Sequence, residues 1–311
     1  MIRQVVSLLA CAPGRLYLDA TLGDGGHAQA ILEASAPTGR VVGLDWDAEA
    51  VARATRRLAL YGERLTVVHD SFVNAPAALR ALGVEVVDGI VADLGVSSRQ
   101  LETAERGFSF QREGPLDMRM DRRRPTTAAH LVNRLPAPAL ARLLREYGEE
   151  RFALRIARAI VRARARAPLT TTLALARLVE QVIPRRAWPR QIHPATRTFQ
   201  ALRMAVNAET ENLEAFLAAL PRLLCPGGRA VVIAFHSLED RLVKQAFRSS
   251  LRPLTRRPLR PEAEEVARNP RARSARLRAA ERPAETETGP GRAAPGHEAG
   301  RPSRARGGGD V

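Results

Sequence analysis

Four short apolar runs in the first hundred residues, separated by helical patterns, leave little choice of architecture. LYLDA (16–20) reads as a buried strand; VVGLD (41–45), LTVVHD (65–70) and VVDGIVADLG (86–95) repeat the pattern. Helical stretches fall at 48–60 and near 75–82. Strands alternating with helices through short loops pair in parallel and are covered on both faces. The fold expected is α/β, a doubly wound sheet. Ahead of it, MIRQVVSLLACAPG lacks a full apolar region and a cleavage site, so it reads as the start of a helix and not as a signal peptide.

The alternation then stops. From 126 to 183 the patterns are helical, with Pro136, Pro138, Pro168 and Pro184 as punctuation. Phe199, Leu202, Val206, Leu213, Phe216, Leu217 and Leu220 lie mostly on one helical face across 199–220. Strand pattern returns at RAVVIAF (229–235), and a helix follows from Leu238 to Phe247. The organisation expected is one sheet domain in two parts, 1–106 and 199–283, around an inserted helical domain at 107–198. Residues 284–311 lack apolar periodicity and are rich in Gly, Pro and Ala, which predicts a disordered basic tail. No apolar run approaches the ~18–20 residues of a membrane span.

The net charge of +16 is uneven. Residues 1–104 sum to −3, 105–206 to +13, 207–250 to zero and 251–311 to +6. A near-neutral frame carrying a basic middle suggests a polyanionic partner. Arginine as such is weaker evidence than its clustering, because 48 of the 49 basic residues are arginine and only Lys244 is lysine. Cys11 and Cys225 are too few for a disulfide framework, and a reducing, cytoplasmic setting fits them. No cluster has the ligand spacing of a structural metal site.

The glycine turn Gly23-Asp24-Gly25-Gly26, between the first strand and a helix, lets backbone approach a ligand. Asp45 ends the second strand, where a carboxylate accepts hydrogen bonds from ribose hydroxyls. The G-x-G-G spacing, with Ala28 at the third glycine position of a dinucleotide turn, departs from G-x-G-x-x-G. Asp19 and Asp24 would also repel a pyrophosphate. A cationic sulfonium with an amino-acid tail would not be repelled, so the turn favours S-adenosylmethionine over NAD. Phe72, after the third strand, suits an adenine wall or plain core packing. Asp93 ends the fourth strand and faces the reacting centre of such a sheet, unless it is a buried structural residue.

These segments resemble the bacterial 16S rRNA (cytosine(1402)-N(4))-methyltransferase family. The matching blocks are DATLGDGGHA (19–28), VADLGVSSRQLETAERGFSFQREGPLDMRMD (91–121), YGEERFALRIARAI (147–160), IHPATRTFQALRMAVNAETENLE (192–214) and LCPGGRAVVIAFHSLEDRLVK (224–244). NPRARSARLRAAER (269–282) is similar to the family's C-terminal block. The resemblance implies a class I methyltransferase (Rossmann-like) fold with an inserted helical substrate domain, and residues 251–283 in the fold as closing strands. It implies methylation of the exocyclic N(4) amino group of a decoding-centre cytidine by S-adenosylmethionine. The partner implied is 16S rRNA in the small ribosomal subunit; a homodimer is compatible. Cofactor contacts carry over onto Gly25, Gly26, His27, Asp45, Phe72, Asp93 and Gln100. The family's short His-x-Pro-Val segment before the first helix has no counterpart, because this sequence opens at Met1-Ile2-Arg3-Gln4.

A cytosine amino group is a poor nucleophile, since its lone pair is delocalised into the ring. Asp93 is the residue expected to accept its hydrogen, and His236 is a second candidate proton acceptor or substrate contact. Ser237 suits a helix N-cap, with Asp240 in a capping-box role. For the RNA, Phe108 and Phe110 offer walls for an unstacked base or ordinary core packing. Arg119, in a basic run, and Arg155 and Arg158, on a helical stripe, suit phosphates; a solvated face is the alternative. Two other readings weigh against transfer to rRNA. A non-catalytic RNA-binding or ribosome-assembly factor would bind without methylating. A DNA amino-methyltransferase lacks support, since Asp93-Leu94-Gly95-Val96 stands where Asn/Asp-Pro-Pro-aromatic would be expected.

Overall fold

A computed structural model describes residues 1–284. The expectation of disorder beyond them lies outside the described residues. The chain opens with α1 (Ile2–Leu9), β1 (Leu16–Asp19), α2 (Gly26–Ala34), β2 (Arg40–Asp45), α3 (Ala48–Arg57), β3 (Leu65–His69), α4 (Ala75–Ala81) and β4 (Val87–Asp93). A short α5 (Ser98–Glu102) leads into the helical segment α6 (Ala128–Arg134), α7 (Ala137–Glu146), α8 (Ala153–Arg164), α9 (Thr172–Val182) and α10 (Thr196–Asn207). The chain returns through α11 (Glu209–Leu223), β5 (Leu224–Ala234), α12 (Ser237–Ser250), β6 (Arg252–Pro253), α13 (Ala263–Arg268) and β7 (Arg276–Glu281).

The seven strands lie in the order β3-β2-β1-β4-β5-β7-β6. The first five are parallel; β7 runs antiparallel to both β5 and β6. Alternation sorts their side chains. Leu18, Ile90 and Val232 face one core with α4, α11 and α12, whereas Tyr17, Val91 and Val231 face another with α1 and α2. Strand order reverses between β1 and β4, and a crevice opens there at the carboxyl ends of the strands. Residues 251–283 supply the two antiparallel strands, together with α13.

The helical segment has its own core, built on Leu140, Leu144, Ile156, Ile160, Leu175 and Val179. Phe199, Leu202 and Val206 belong to it too. The boundary expected at 198 therefore falls inside α10. The single helical face expected over 199–220 is also broken. Ala208 turns left-handed (φ 50°), and from Leu213 onward the apolar residues join the sheet core instead. Buried Asn207 anchors the break. Its Oδ1 accepts from Met120 N at 2.8 Å, and its Nδ2 donates to Met118 O at 2.8 Å.

Candidate active site

A cavity of about 310 Å³ fills the crevice. Gly26, His27, Asp45, Phe72, Asp93 and Gln100 all line it. Gly25 stands behind it. Its φ of +82° suits glycine, and a Cβ would sit 2.6 Å from Leu58 Cδ1. Gly25→Ala is thus expected to cost about 1–3 kcal/mol of stability, read by denaturant unfolding; an unchanged midpoint would show that the turn does not need this conformation.

Asp45 shapes the turn from the opposite strand. Its Oδ2 accepts from Gly23 N at 2.7 Å and its Oδ1 from Asp47 N at 2.9 Å. Burial raises its pKa, and those two N–H groups pull it back in part. Phe72 packs against Trp46 (centroids 5.8 Å apart) and Phe216 (5.2 Å), forming an aromatic wall. Gln100 is held at both ends of its amide. Nε2 donates to Asp47 Oδ2 at 2.8 Å, and Oε1 accepts from Ser97 N at 3.0 Å. Asp47 in turn takes Arg106 Nη1 at 2.8 Å, with 5% and 3% of the two side chains exposed.

Five carboxylates line this cavity, Asp24, Asp45, Asp93, Glu209 and Glu239, and no arginine or lysine does among the described residues. Asp24 is bound by Arg53 and Arg99; burial pushes it up, but these bonds outweigh it and hold it below the usual carboxylate range. Arg203 grips Glu209 through two 2.8 Å bonds, yet burial keeps that carboxyl raised. Burial also acts upward on Glu239, but His236 and Arg203 lower it on balance.

A second cavity, about 670 Å³, adjoins the first. His27, Asp93, Gly95, Ser97 and Phe235 line both, so they form the junction. Thr21 Oγ1 accepts from Asp93 N at 2.6 Å, fixing the backbone there. Asp93 Oδ2 lies 3.4 Å from His27 Nε2. Burial lowers the His27 pKa, but Asp93 and then Asp19 outweigh it and raise it overall. Asp93 Oδ1 and His27 Nδ1 are buried without a hydrogen-bond partner. Such atoms are costly unless a ligand completes them.

Beneath the junction, burial raises the Asp19 carboxyl to about 6 against the pull of His27 and of Thr21 N–H. A carboxyl with a folded pKa above its unfolded value binds its proton more tightly in the folded chain. Its contribution to stability is full below about pH 4 and is lost as pH rises through about 6. The cofactor-free Asp19→Asn chain should lose less stability than the parent between about pH 4.5 and 7.5 in urea unfolding; parallel curves would contradict this.

Phe108, Phe110 and His236 line the second cavity. Phe110 packs on His193 and Phe199, and Phe108 lies under Arg106. Two expectations are corrected. The N-cap of α12 is His236 and not Ser237, with Glu239 as its capping-box partner and not Asp240. His236 Nδ1 accepts from Glu239 N at 3.4 Å, and Nε2 lies 3.1 Å from Glu239 Oε1, off the line of a hydrogen bond. Nδ1 is thus committed to the cap, and the ring of His236 lines the second cavity with Nε2 lacking a hydrogen-bond partner. Arg119 is spent within its loop. Nε and Nη2 grip Asp117 at 2.7 and 2.9 Å, and Nη1 donates to the carbonyls of Arg122 and Arg124. Arg155 and Arg158 are exposed on α8 and line neither cavity.

Trp46, Asp47, Arg106, Glu209 and Glu239 were not singled out from the sequence. Trp46 directly follows Asp45, and Glu209 follows the helix break. The buried Asp47–Arg106 pair spans 59 positions and leaves no local pattern.

The family model described as the MraW methylase family matches residues 1–283. Ribosomal RNA small subunit methyltransferase H of Geobacter sulfurreducens is 52% identical over 299 residues, covering 90% of this chain and 96% of that protein. Its counterpart from Pelobacter propionicus is 50% identical over 303 residues, covering 91% and 97%. A solved rRNA methylase from Streptococcus thermophilus aligns over 91% of this chain and 93% of its own, at 10% identity and a TM-score of 0.42.

Proposed function

The chain belongs to the MraW methylase family, and from that premise we propose that it methylates the N(4) amino group of cytidine 1402 in the 16S rRNA of the small ribosomal subunit, using S-adenosylmethionine. The setting proposed is the cytoplasm, and the active form a monomer or homodimer. The observation that carries the reading is the junction. A carboxylate-lined cavity with no arginine or lysine among the described residues meets a larger cavity walled by aromatic rings, and Asp93 lines both where they meet.

The first cavity suits the cofactor in charge and shape. It takes a cationic ligand, and Gly23 N is already bound to Asp45, so the turn offers no phosphate cradle there. Asp45 serves the ribose hydroxyls through its remaining lone pairs, the Trp46–Phe72 wall serves the adenine, and the acidic lining serves the amino-acid ammonium. When bound, the cofactor supplies an activated methyl group. The protein's work is orientation and proton handling. The Asp93 carboxylate accepts a hydrogen of the cytosine amino group, which localises the nitrogen lone pair. His27, whose own pKa is raised chiefly by Asp93 and then Asp19, lies 3.4 Å from the Asp93 carboxylate and helps to orient it. Phe108, Phe110 and His236 wall the second cavity around the base. A non-catalytic binding factor would need neither the acceptor nor the paired cavities.

The reading is tested with small subunits from a strain lacking this gene. Incubated with the protein and labelled S-adenosylmethionine, they should gain label as N(4)-methylcytidine at position 1402. Subunit binding without label, or label on another atom, would overturn it.

The exposed stripe on α8 is proposed to touch rRNA phosphates. Reversing Arg155 and Arg158 to Glu should weaken rRNA binding and flatten its salt dependence by about one unit of slope per lost contact. Cofactor affinity should not change. Unaltered rRNA titrations would place the contact elsewhere.

A further inference from the structure

A third cavity, about 370 Å³, opens between the C-terminal half of α12 and the stretch after β6, at the far edge of the sheet. Lys244, Arg248, Arg256 and Arg278 line it over Phe247, and no acidic residue does among the described residues. Arg278 is buried, held by Asp240 at 2.7 and 3.2 Å. Asp240 also lies 3.4 Å from Arg276, so one carboxylate answers two guanidinium groups. Lys244, Arg248 and Arg256 are exposed, and none has an ion-pair partner among the described residues. Lys244 and Arg248 stand one turn apart on α12, so their heads reach the same side. Cations gathered without countercharge repel one another, and an anion between them removes that cost.

Lys244 is an independent sign. The chain has 48 arginines and this one lysine. Lysine carries a compact, mobile ammonium that meets phosphate as a point charge, whereas arginine pairs through a planar fork. The chain uses that chemistry only here.

We propose that this cavity holds one backbone phosphate of the substrate rRNA, remote from the nucleotide that enters the junction; the inference rests on the rRNA-methyltransferase reading. α12 begins at the second cavity with His236 as its cap. At about 1.5 Å per residue, Lys244 and Arg248 lie roughly 12 and 18 Å further along. A phosphate held there touches no reacting atom. It strengthens RNA binding and leaves the transfer step alone.

The test compares the full chain with the Lys244→Gln/Arg248→Gln/Arg256→Gln variant, binding a 16S rRNA fragment across a salt series. The variant should bind about fivefold more weakly near 0.15 M salt, with a log–log salt slope smaller by about one. KM for RNA should rise with kcat unchanged. Lys244→Gln alone should move both in the same direction by less, and it decides the matter if the triple variant folds poorly. Unchanged rRNA affinity and slope would overturn the proposal. So would a loss confined to inorganic pyrophosphate or to vesicles of anionic lipid, with rRNA binding intact. If the parent itself bound no rRNA, the functional reading would fail; if only the variant behaved like the parent, this site alone would fail.

Discussion

Asp93→Asn is expected to lower kcat for methyl transfer by about 10²–10⁴-fold, the usual worth of a positioned proton acceptor. The substitution keeps size and shape, and Thr21 Oγ1 still accepts the backbone N–H at position 93. What it removes is the charge opposite His27 and one of the two acceptor oxygens. The amide still offers one carbonyl oxygen, so Asp93→Ala should fall further. A single hydrogen bond is worth about 0.5–1.5 kcal/mol, so cofactor affinity should move by no more than roughly tenfold. Single-turnover rates with small subunits, beside calorimetric titration with S-adenosylmethionine, separate the two effects. A kcat within a few-fold of the parent would remove Asp93 from the chemistry. Equal losses in rate and cofactor affinity would assign it to binding.

The second large effect is on stability. Arg106→Ala should cost about 3–5 kcal/mol, because it strands Asp47 as a buried, uncompensated charge. The guanidinium does more than pair. Its Nη2 donates to the carbonyls of Arg119 and Met120 at 3.1 and 3.0 Å, tying the loop ahead of the helical segment to the floor of the cofactor cavity. Its loss also frees Asp47, on which the Gln100 amide depends. Cofactor affinity should therefore fall along with stability. Arg106→Lys should be intermediate, since an ammonium cannot reach all these acceptors with one planar fork. Denaturant unfolding with and without cofactor measures both. A loss below about 1 kcal/mol would mean that the pair is solvated in solution.

The parallel strands were legible because their side chains are buried on both faces and so read as continuous apolar runs. Asp45, Phe72 and Asp93 followed from the rule that ligands gather at strand ends. β7 was hidden by its composition. Arg276, Arg278 and Glu281 sit in a central antiparallel strand because Asp240, Arg229 and Arg252 compensate them, and those partners are distant in sequence. The break at Ala208 was hidden for the opposite reason. Apolar spacing continues unaltered across it, while the residues on either side enter different cores. The α12 cap was misplaced by one position, because Ser237 is the more usual capping residue and the histidine ring does the same work. Arg119 looked like a phosphate contact until its loop folded back on Asp117.

The most direct test of the account is a structure of the complex with S-adenosylhomocysteine and cytidine monophosphate. The cytosine ring should occupy the second cavity, its amino nitrogen about 2.6–3.2 Å from a carboxylate oxygen of Asp93. A base bound outside that cavity, or an amino group turned away from Asp93, would contradict it.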